Sequence, residues 1–291
     1  MEITTRARAI SRDPERAFAE VGRRLHRLNP INVNDGVNFL EKEWDILIIL
    51  DACRYDFFDN VSSLPGKTDS IQSLGSTSAE FIENNFAGQT LYDTVYVSSN
   101  GWYENLRDEI DSDIYRFIYT GRDAVNDMTC RPETVTDRAL EANSEHPNKR
   151  LIVHYMQPHH PYLGPTGESI EHHRPTAVTV YRNNLSVETL QKAYKENLEI
   201  VLEEVERLFE RLEGRMVVTA DHGDFLGEKP YLIPVRDYGH PRGIRREEVT
   251  TVPWHVYESG SRKILEADKP FDKKETNHEI EQHLKNLGYK V

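Results

Sequence analysis

Continuous apolar runs alternate with amphipathic stretches along most of this chain. Five runs lack the strict two-residue alternation of a half-exposed strand, and such runs are typical of strands covered on both faces. They are DILIIL (45–50), TVYVSS (94–99), RLIVHYM (150–156), RMVVTA (215–220) and VPWHVYE (252–258). We therefore predict that these five runs are strands of one sheet.

The stretches between and after these runs have helical periodicity. Residues 78–86, 133–143 and 186–213 repeat apolar side chains at the spacing of one helical face, and residues 277–289 predict a helix that closes the fold. Alternation of strands and helices predicts an α/β fold, with helices on both sides of a mostly parallel central sheet.

The first 30 residues are predicted to form a separate N-terminal arm. Residues 5–28 are basic, and their apolar residues recur at near-helical spacing. The pattern fits a packed amphipathic helix, and it also fits a peripheral contact with a membrane or a protein partner. Residues 31–291 contain no low-complexity linker, so we expect them to form one α/β domain.

Charge and cysteine content narrow the function. The formal net charge of −13 argues against general nucleic-acid binding, and an anionic substrate would need a local cluster of metal and arginine to attract it. The two cysteines lack zinc-finger spacing, and the N-terminus has no apolar signal core. No run reaches the roughly 20 apolar residues that cross a bilayer. We therefore expect a cytoplasmic protein.

Potential metal ligands follow three of the predicted strands. DILIIL leads into Asp51, RLIVHYM leads to His159, and RMVVTA ends beside Asp221 and His222. Ligands collect at the carboxyl ends of strands in such sheets. Carboxylate and imidazole donors together suit Zn²⁺, Mn²⁺ or a comparable divalent ion. The sequence thus predicts a metal site that only the folded sheet can assemble.

Two hydroxyl residues stand at the predicted start of the helix over residues 78–86. Thr77 and Glu80 have capping-box spacing, and Ser78 lies at the same helix start. Backbone N–H groups gather there and can hold anionic oxygens. The hydroxyls could therefore supply a nucleophile, or they could be a plain N-cap.

Histidine and arginine side chains are candidates for substrate contact. The segment PHHPY (158–162) places His159 and His160 on a loop stiffened by proline, which suits contact with an anion or donation of a proton. The segment YGHPRG (238–243) repeats the idea with His240, and Arg242 is placed to hold an oxyanion.

Taken together, these motifs resemble the alkaline phosphatase and sulfatase superfamily. IILDACRYDFF is similar to the first motif of that family, which implies that Asp51 is a metal ligand. HYMQPHHPY resembles the HxxxPHxPY segment, which implies that His159 contacts substrate or donates a proton. VVTADHGDFLGE resembles the TSDHGExLGE signature, which implies that Asp221 and His222 are ligands and leaves Asp224 outside the ligand set.

The same resemblance implies the remaining roles. YGHPRGIRREEVTTVPW is similar to a later Gly-His stretch, which gives His240 a second-ligand or substrate-binding role. Relatives with an unmodified nucleophile imply Ser78, and next Thr77, in that role. Arg54 is implied to stabilise an oxyanion or to form a structural ion pair. One or two divalent ions are expected, with Zn²⁺, Mn²⁺, Ca²⁺ and Mg²⁺ all open.

The chain departs from the sulfatase pattern at one decisive place. Sulfatases carry a CxPxR or SxPxR motif that becomes formylglycine, and neither is present around Cys53 or Cys130. We therefore expect a metal-dependent hydrolase or transferase of phosphate esters, with sulfate esters less favoured. The alternative is a catalytically inactive sulfatase-like protein that binds an anionic glycan or a protein partner.

Overall fold

A seven-stranded sheet runs through the centre of the computed structural model, which describes residues 14–29, 32, 35–125, 127–173 and 175–269. Its strands lie in the order β2-β9-β6-β1-β5-β3-β4. The strands from β6 to β4 in that order are parallel, and β9 runs antiparallel to both of its neighbours, β6 and the edge strand β2. The predicted fold class, a mostly parallel α/β sheet, is confirmed.

The strand bounds show which sequence predictions held. The seven strands are β1 (Ile46–Leu50), β2 (Lys67–Gln72), β3 (Thr90–Ser98), β4 (Asp113–Tyr119), β5 (Arg150–Tyr155), β6 (Gly214–Thr219) and β9 (Thr251–Ser259). The short strands β7 (Phe225–Leu226) and β8 (Tyr238–Gly239) pair with each other. All five predicted strands are present. The sequence missed β2, because its KTDSIQ residues are mostly exposed at the sheet edge, and β4, because Asp113 and Arg116 break its apolar run and its side chains follow no strict alternation.

Helices cover both faces of the sheet. They are α1 (Pro14–Arg27), α2 (Tyr55–Val61), α3 (Ser78–Phe86), α4 (Trp102–Leu106), α5 (Pro132–Glu145), α6 (Pro165–Glu168), α7 (Thr176–Asn183), α8 (Val187–Arg211) and α9 (Glu247–Thr250). The long predicted helix is α8, whose apolar face buries Leu198, Val201 and Leu208 completely. Burial of each such side chain stabilises the fold by roughly 1.5–3 kcal/mol. Because these residues lie on one face of α8, their burial anchors the helix along its length.

The register of the central strands brings three chain segments to one edge. Strand β1 lies between β5 and β6, and all three run in the same direction. Leu50 is level with Tyr155, and Ile49 is level with Thr219. The residues that follow these strands therefore leave the sheet side by side, although at least 64 positions separate any two of the strand ends in sequence.

Helix α1 packs against the segment that surrounds β8. Arg23 forms an ion pair with Asp237, and a Cβ at Gly22 would come within 2.7 Å of the Tyr231 ring, so only a glycine admits this approach. Phe18 and Leu25 remain exposed. A membrane or partner contact through this helix stays a prediction, as does the division into an arm and one domain.

Two predicted helical segments lie wholly or partly outside the described residues. The helix predicted over 277–289 falls wholly outside them, and residues 5–13 of the predicted arm do too. Among the helices of the described ranges, none has both the length and the apolar character needed to cross a bilayer.

Candidate active site

Asp51, Asp221 and His222 bring their side chains together at the edge where β1 and β6 end. One donor atom from each lies within 4.8 Å of the other two, and all three residues are buried. His222 Nε2 is 3.6 Å from Asp51 Oδ1 and 3.5 Å from Asp221 Oδ2. Donors about 2.1 Å from one tetrahedral ion lie about 3.4 Å apart. The three side chains are therefore spaced as ligands of a single ion would be.

Backbone and amide donors hold the two carboxylates in place. Ala52 turns the chain with a left-handed φ of 61°, and its N–H donates to Asp221 Oδ1 over 3.1 Å. The His222 N–H donates to the same oxygen over 2.9 Å. Asn100, which follows β3, donates its side-chain amide to Asp51 Oδ2 over 2.9 Å. These bonds leave Asp51 Oδ1 and Asp221 Oδ2 directed toward the imidazole.

The environment of these atoms fits a divalent cation. Asp221 Oδ2 is buried without a hydrogen-bond partner among the described residues. An unpaired buried carboxylate oxygen is costly, because burial removes its water and nothing replaces it. Two carboxylates and one imidazole form a donor set that Zn²⁺ and Mn²⁺ accept. The residues present therefore satisfy the chemistry of a bound divalent ion.

His222 is prepared for a ligand role by its own surroundings. Its Nδ1 lies 2.8 Å from the Gly223 carbonyl oxygen, which assigns the proton to Nδ1 and leaves the Nε2 lone pair facing the carboxylates. Burial lowers the pKa of His222 from 6.5 to about 4. The ring is therefore neutral near pH 7, the form that binds a metal.

Ser78 is the hydroxyl nearest this donor set. Its Oγ lies 3.4 Å from His222 Nε2 at the first residue of α3. Thr77 is the N-cap, and its Oγ1 accepts from the Glu80 N–H over 3.2 Å. The Glu80 carboxylate accepts from Ser76 instead of Thr77, so only half of the predicted capping box forms. Thr77 is thus engaged in capping, while Ser78 faces the carboxylates and imidazole.

A pair of histidines adjoins the donor set. The Nε2 atoms of His159 and His240 are 3.1 Å apart, and the His240 ring stacks on the His222 ring with centroids separated by 4.2 Å. Burial lowers the pKa of His240 well below its ordinary value. Asn197 of α8 fixes the loop by donating to the His159 carbonyl oxygen over 3.0 Å. A distance of 3.1 Å is that of an ordinary hydrogen bond in which one Nε2–H donates to the other Nε2.

The other residues predicted to bind substrate are placed less centrally. His160 is buried beside His159, and its Nδ1 lies 2.9 Å from Thr176 Oγ1. Arg54 is held by ion pairs with Asp56 and Glu228. Arg242 leaves 57% of its side chain exposed and pairs with Glu83 at 2.5 Å. The structure therefore brings His160 to the histidine pair but directs both arginines toward carboxylates elsewhere.

Sequence reasoning missed two residues that touch the predicted ligands. One is Asn100, the partner of Asp51. The other is His154, whose Nε2 lies 3.8 Å from Asp221 Oδ2 and whose Nδ1 lies 2.8 Å from the Tyr96 hydroxyl. Both carried a signal: Asn100 follows an apolar run, and His154 interrupts one.

Comparison with solved structures identifies relatives in fold. No protein-family model and no curated protein sequence matches the chain. The C-terminal periplasmic domain of EcEptC from Escherichia coli, in a complex with Zn, aligns with a TM-score of 0.50 at 13% identity, over 78% of this chain and 76% of that one.

Two further structures are similar. The C-terminal periplasmic domain of phosphoethanolamine transferase EptC from Campylobacter jejuni gives a TM-score of 0.48 at 15% identity, over 73% of this chain and 78% of that one. A protein in the alkaline phosphatase superfamily from Vibrio parahaemolyticus gives 0.45 at 14% identity, over 78% and 64%. At such identities the likeness concerns the fold, and it does not extend to the activity.

The comparison also corrects one expectation. The EcEptC domain is periplasmic, so the prediction of a cytoplasmic protein is wrong. That prediction rested on a missing apolar segment, and the surface and core of a folded domain do not record the compartment in which it works. The resemblance read from the motifs is confirmed: the chain has the α/β fold of the alkaline phosphatase and sulfatase superfamily.

Proposed function

We propose that the protein is a metal-dependent enzyme that hydrolyses or transfers phosphate esters, with Ser78 as its nucleophile. One observation carries the proposal: the Ser78 hydroxyl lies at a helix start, 3.4 Å from His222 in the buried cluster of Asp51, Asp221 and His222. The zinc complex of the EcEptC domain makes Zn²⁺ the first ion to test.

In the proposed reaction, each group of the chain has a defined task. A divalent ion held by Asp51, Asp221 and His222 would lower the pKa of the Ser78 hydroxyl and polarise a phosphoryl oxygen. The N–H groups at the start of α3 hold the other phosphoryl oxygens. The Ser78 hydroxyl gives its proton to solvent, its Oγ bonds to phosphorus to give a phosphoserine as the ester P–O bond breaks, and the leaving oxygen becomes the free alcohol when it is protonated.

Proton transfer to the leaving alcohol is assigned to the histidine pair. The Nε2 atoms of His159 and His240 are 3.1 Å apart, and the approach of an anionic phosphate favours uptake of a proton from solvent by one of the two rings. The leaving oxygen takes this proton. Water then attacks the phosphoserine in hydrolysis, or an acceptor alcohol attacks it in transfer, and Ser78 is restored.

Phosphate is the favoured ester because no residue is suited to become formylglycine. Cys53 is completely buried, and burial raises its pKa well above the ordinary value. Burial also raises the pKa of Cys130 to about 12. Neither thiol lies in the CxPxR pattern. A serine nucleophile acting on phosphorus needs no such modification.

The test is turnover by protein stripped with a chelator and reloaded with Zn²⁺, Mn²⁺, Mg²⁺ or Ca²⁺. Substrates are an aryl phosphate monoester, a diester and an aryl sulfate, each with and without an acceptor alcohol. We expect turnover of a phosphate ester that requires metal and falls at least a hundredfold in Ser78→Ala. Thr77→Ala, the matched control at the neighbouring hydroxyl, should retain turnover within about tenfold. Mass spectrometry of quenched reactions should locate the phosphoryl group on Ser78.

Other outcomes would replace the proposal. Full turnover in both Ser78→Ala and Thr77→Ala would assign the attack to an activated water. Protein that binds no divalent ion and turns over none of the esters would favour the alternative of an inactive protein that binds an anionic glycan or a protein partner.

A further inference from the structure

A cavity of about 220 Å³ lies beside the histidine pair. His159, His160 and His240 form part of its wall. The rest comes from segments far apart in sequence, including Ala19 of α1 and Ala177 of α7. Helix α1, at the beginning of the chain, therefore helps to enclose a space at the candidate active site.

The cavity is connected to the proposed nucleophile through two neighbouring imidazoles. The His240 ring, which lines the cavity, stacks on the His222 ring at 4.2 Å, and His222 Nε2 lies 3.4 Å from Ser78 Oγ. The histidine pair is also the group assigned to protonate the leaving oxygen. The organic group attached to that oxygen would therefore lie next to this cavity.

The two more deeply buried charged groups of the wall, Arg23 and Asp237, are paired with each other. Arg23 Nε donates to Asp237 Oδ2 over 2.9 Å, its Nη2 contacts Oδ1, and Asp237 is 1% exposed. The Tyr231 hydroxyl donates to the same carboxylate over 2.7 Å. Arg236 donates its Nη1 to the Gly227 carbonyl oxygen over 2.6 Å. A charged ligand group would therefore have to displace Arg23 or Asp237 from its partner, whereas the charge of Arg236 lies on an exposed side chain in contact with water.

Most of the remaining wall is apolar or aromatic, and the hydroxyl of its one threonine, Thr176, lies 2.9 Å from His160 Nδ1. Tyr181 and Tyr238 place their rings edge to face, with centroids 5.9 Å apart at 83°. Ala19 and Ala177, 3% and 8% exposed, line the same cavity with small side chains that take up little of its volume. Aromatic faces with small neighbours suit a flat or aliphatic carbon group, which gains by leaving water.

We propose that this cavity binds the alcohol portion of the ester and selects an uncharged organic group over a second anionic group. The inference rests on the proposed function, since it assumes that the phosphoryl group lies at Ser78. It makes Ala19 and Ala177 specificity-determining residues, and it gives α1 a part in substrate selection.

The test uses phosphonates, which bind without being turned over. Phenylphosphonate, methylphosphonate and phosphonoacetate are titrated calorimetrically into the metal-loaded full chain. We expect phenylphosphonate to bind at least tenfold more tightly than the other two. Ala177→Leu and Ala19→Leu, which fill the cavity from different helices, should each reduce this preference to less than threefold. Ala87→Leu adds the same side chain at an exposed position after α3 and should leave the preference unchanged.

The outcomes separate the two proposals. Equal binding of phenylphosphonate and methylphosphonate, or a preference that survives both leucine substitutions, would overturn the cavity assignment while leaving the phosphoryl site intact. Tighter binding of phosphonoacetate would overturn the selection of an uncharged group. Protein that turns over no phosphate ester and binds none of the phosphonates with any ion would remove the proposed function, and this inference with it. Either leucine variant suffices if the other fails to fold.

Discussion

Asp221→Asn should stabilise the metal-free protein and abolish its stabilisation by metal. The two carboxylate oxygens of Asp221 have separate tasks: Oδ1 accepts from the N–H groups of Ala52 and His222, and Oδ2 lies buried without a hydrogen-bond partner among the described residues. Asparagine keeps the acceptor at Oδ1 and replaces the charged Oδ2 with a neutral amide. The substitution therefore removes charge while it preserves the local hydrogen bonds.

The expected magnitudes follow from the geometry of the cluster. Carboxylate oxygens of Asp51 and Asp221 lie within 4.8 Å of each other. Two negative charges at that distance repel by about 3 kcal/mol at an effective dielectric constant near 20. The metal-free variant should therefore be about 1–3 kcal/mol more stable than the metal-free wild type. An ion at a thousand times its Kd stabilises the wild type by about 4 kcal/mol, and the variant should lose most of this gain.

The assay is urea unfolding followed by circular dichroism, in chelator and in Zn²⁺. The stability order of wild type and variant should reverse between the two conditions. Asp224→Asn is the matched control, because Asp224 is equally buried but stands outside the donor set, so its metal response should equal that of the wild type. A wild type that no divalent ion stabilises, or an Asp221→Asn variant that gains as much as the wild type, would refute the reasoning.

Three further predictions concern the surroundings of the cluster. Burial lowers the pKa of both His154 and His222 from 6.5 to about 4, so the unfolded chain takes up protons first as the pH falls. The free energy of unfolding of the metal-free protein should be highest above about pH 6.5 and should fall by roughly 3 kcal/mol per histidine as the pH approaches 4. In unfolding curves measured across that range, His154→Gln should make this fall smaller. Arg54→Gln should destabilise the fold by about 2 kcal/mol, because it leaves Glu228 unpaired, whereas Arg242→Gln, at an exposed ion pair, should change stability by less than about 0.5 kcal/mol in the same assay. Gly223→Ala should weaken Zn²⁺ binding at least tenfold in chelator competition, because its Cβ would lie 2.2 Å from the Glu248 carbonyl oxygen; unchanged affinity would show that the turn adjusts without moving His222.

The central strands could be predicted from the sequence because a strand buried on both faces has few polar side chains and therefore stands out as a continuous apolar run. β1 is ILIIL, and all five of its residues are buried. The edge strand β2 was not predicted, because its side chains are mostly polar and exposed. Its six residues do not indicate that they lie at the edge of a sheet. Strand order was equally hidden: nothing in residues 46–50 indicates that their neighbours would be residues 150–155 and 214–219.

The sequence predicted the donor cluster because chemistry and position coincided there. Asp51 and Asp221 follow apolar runs closely, so parallel strands had to bring them to one edge. Asn100 and His154 required knowledge of neighbouring strands, since each touches a residue of another strand end. The contribution of α1 to the cavity had no sequence signal, because the ion pair of Arg23 with Asp237 spans 214 positions.

Attraction of an anionic substrate should depend mainly on the metal. The net charge of −13 repels anions, and the sequence suggested a cluster of metal and arginine as the remedy. Two of the arginines near the site are held by carboxylates: Arg54 by Asp56 and Glu228, and Arg23 by Asp237. Two carboxylates of the metal cluster add further negative charge. Methylphosphonate should therefore bind at least a hundredfold more weakly in chelator than in Zn²⁺, as calorimetry would show. Equal binding in both conditions would mean that an arginine leaves its carboxylate to hold the anion, and the ion pairs of Arg54 would be the first place to look.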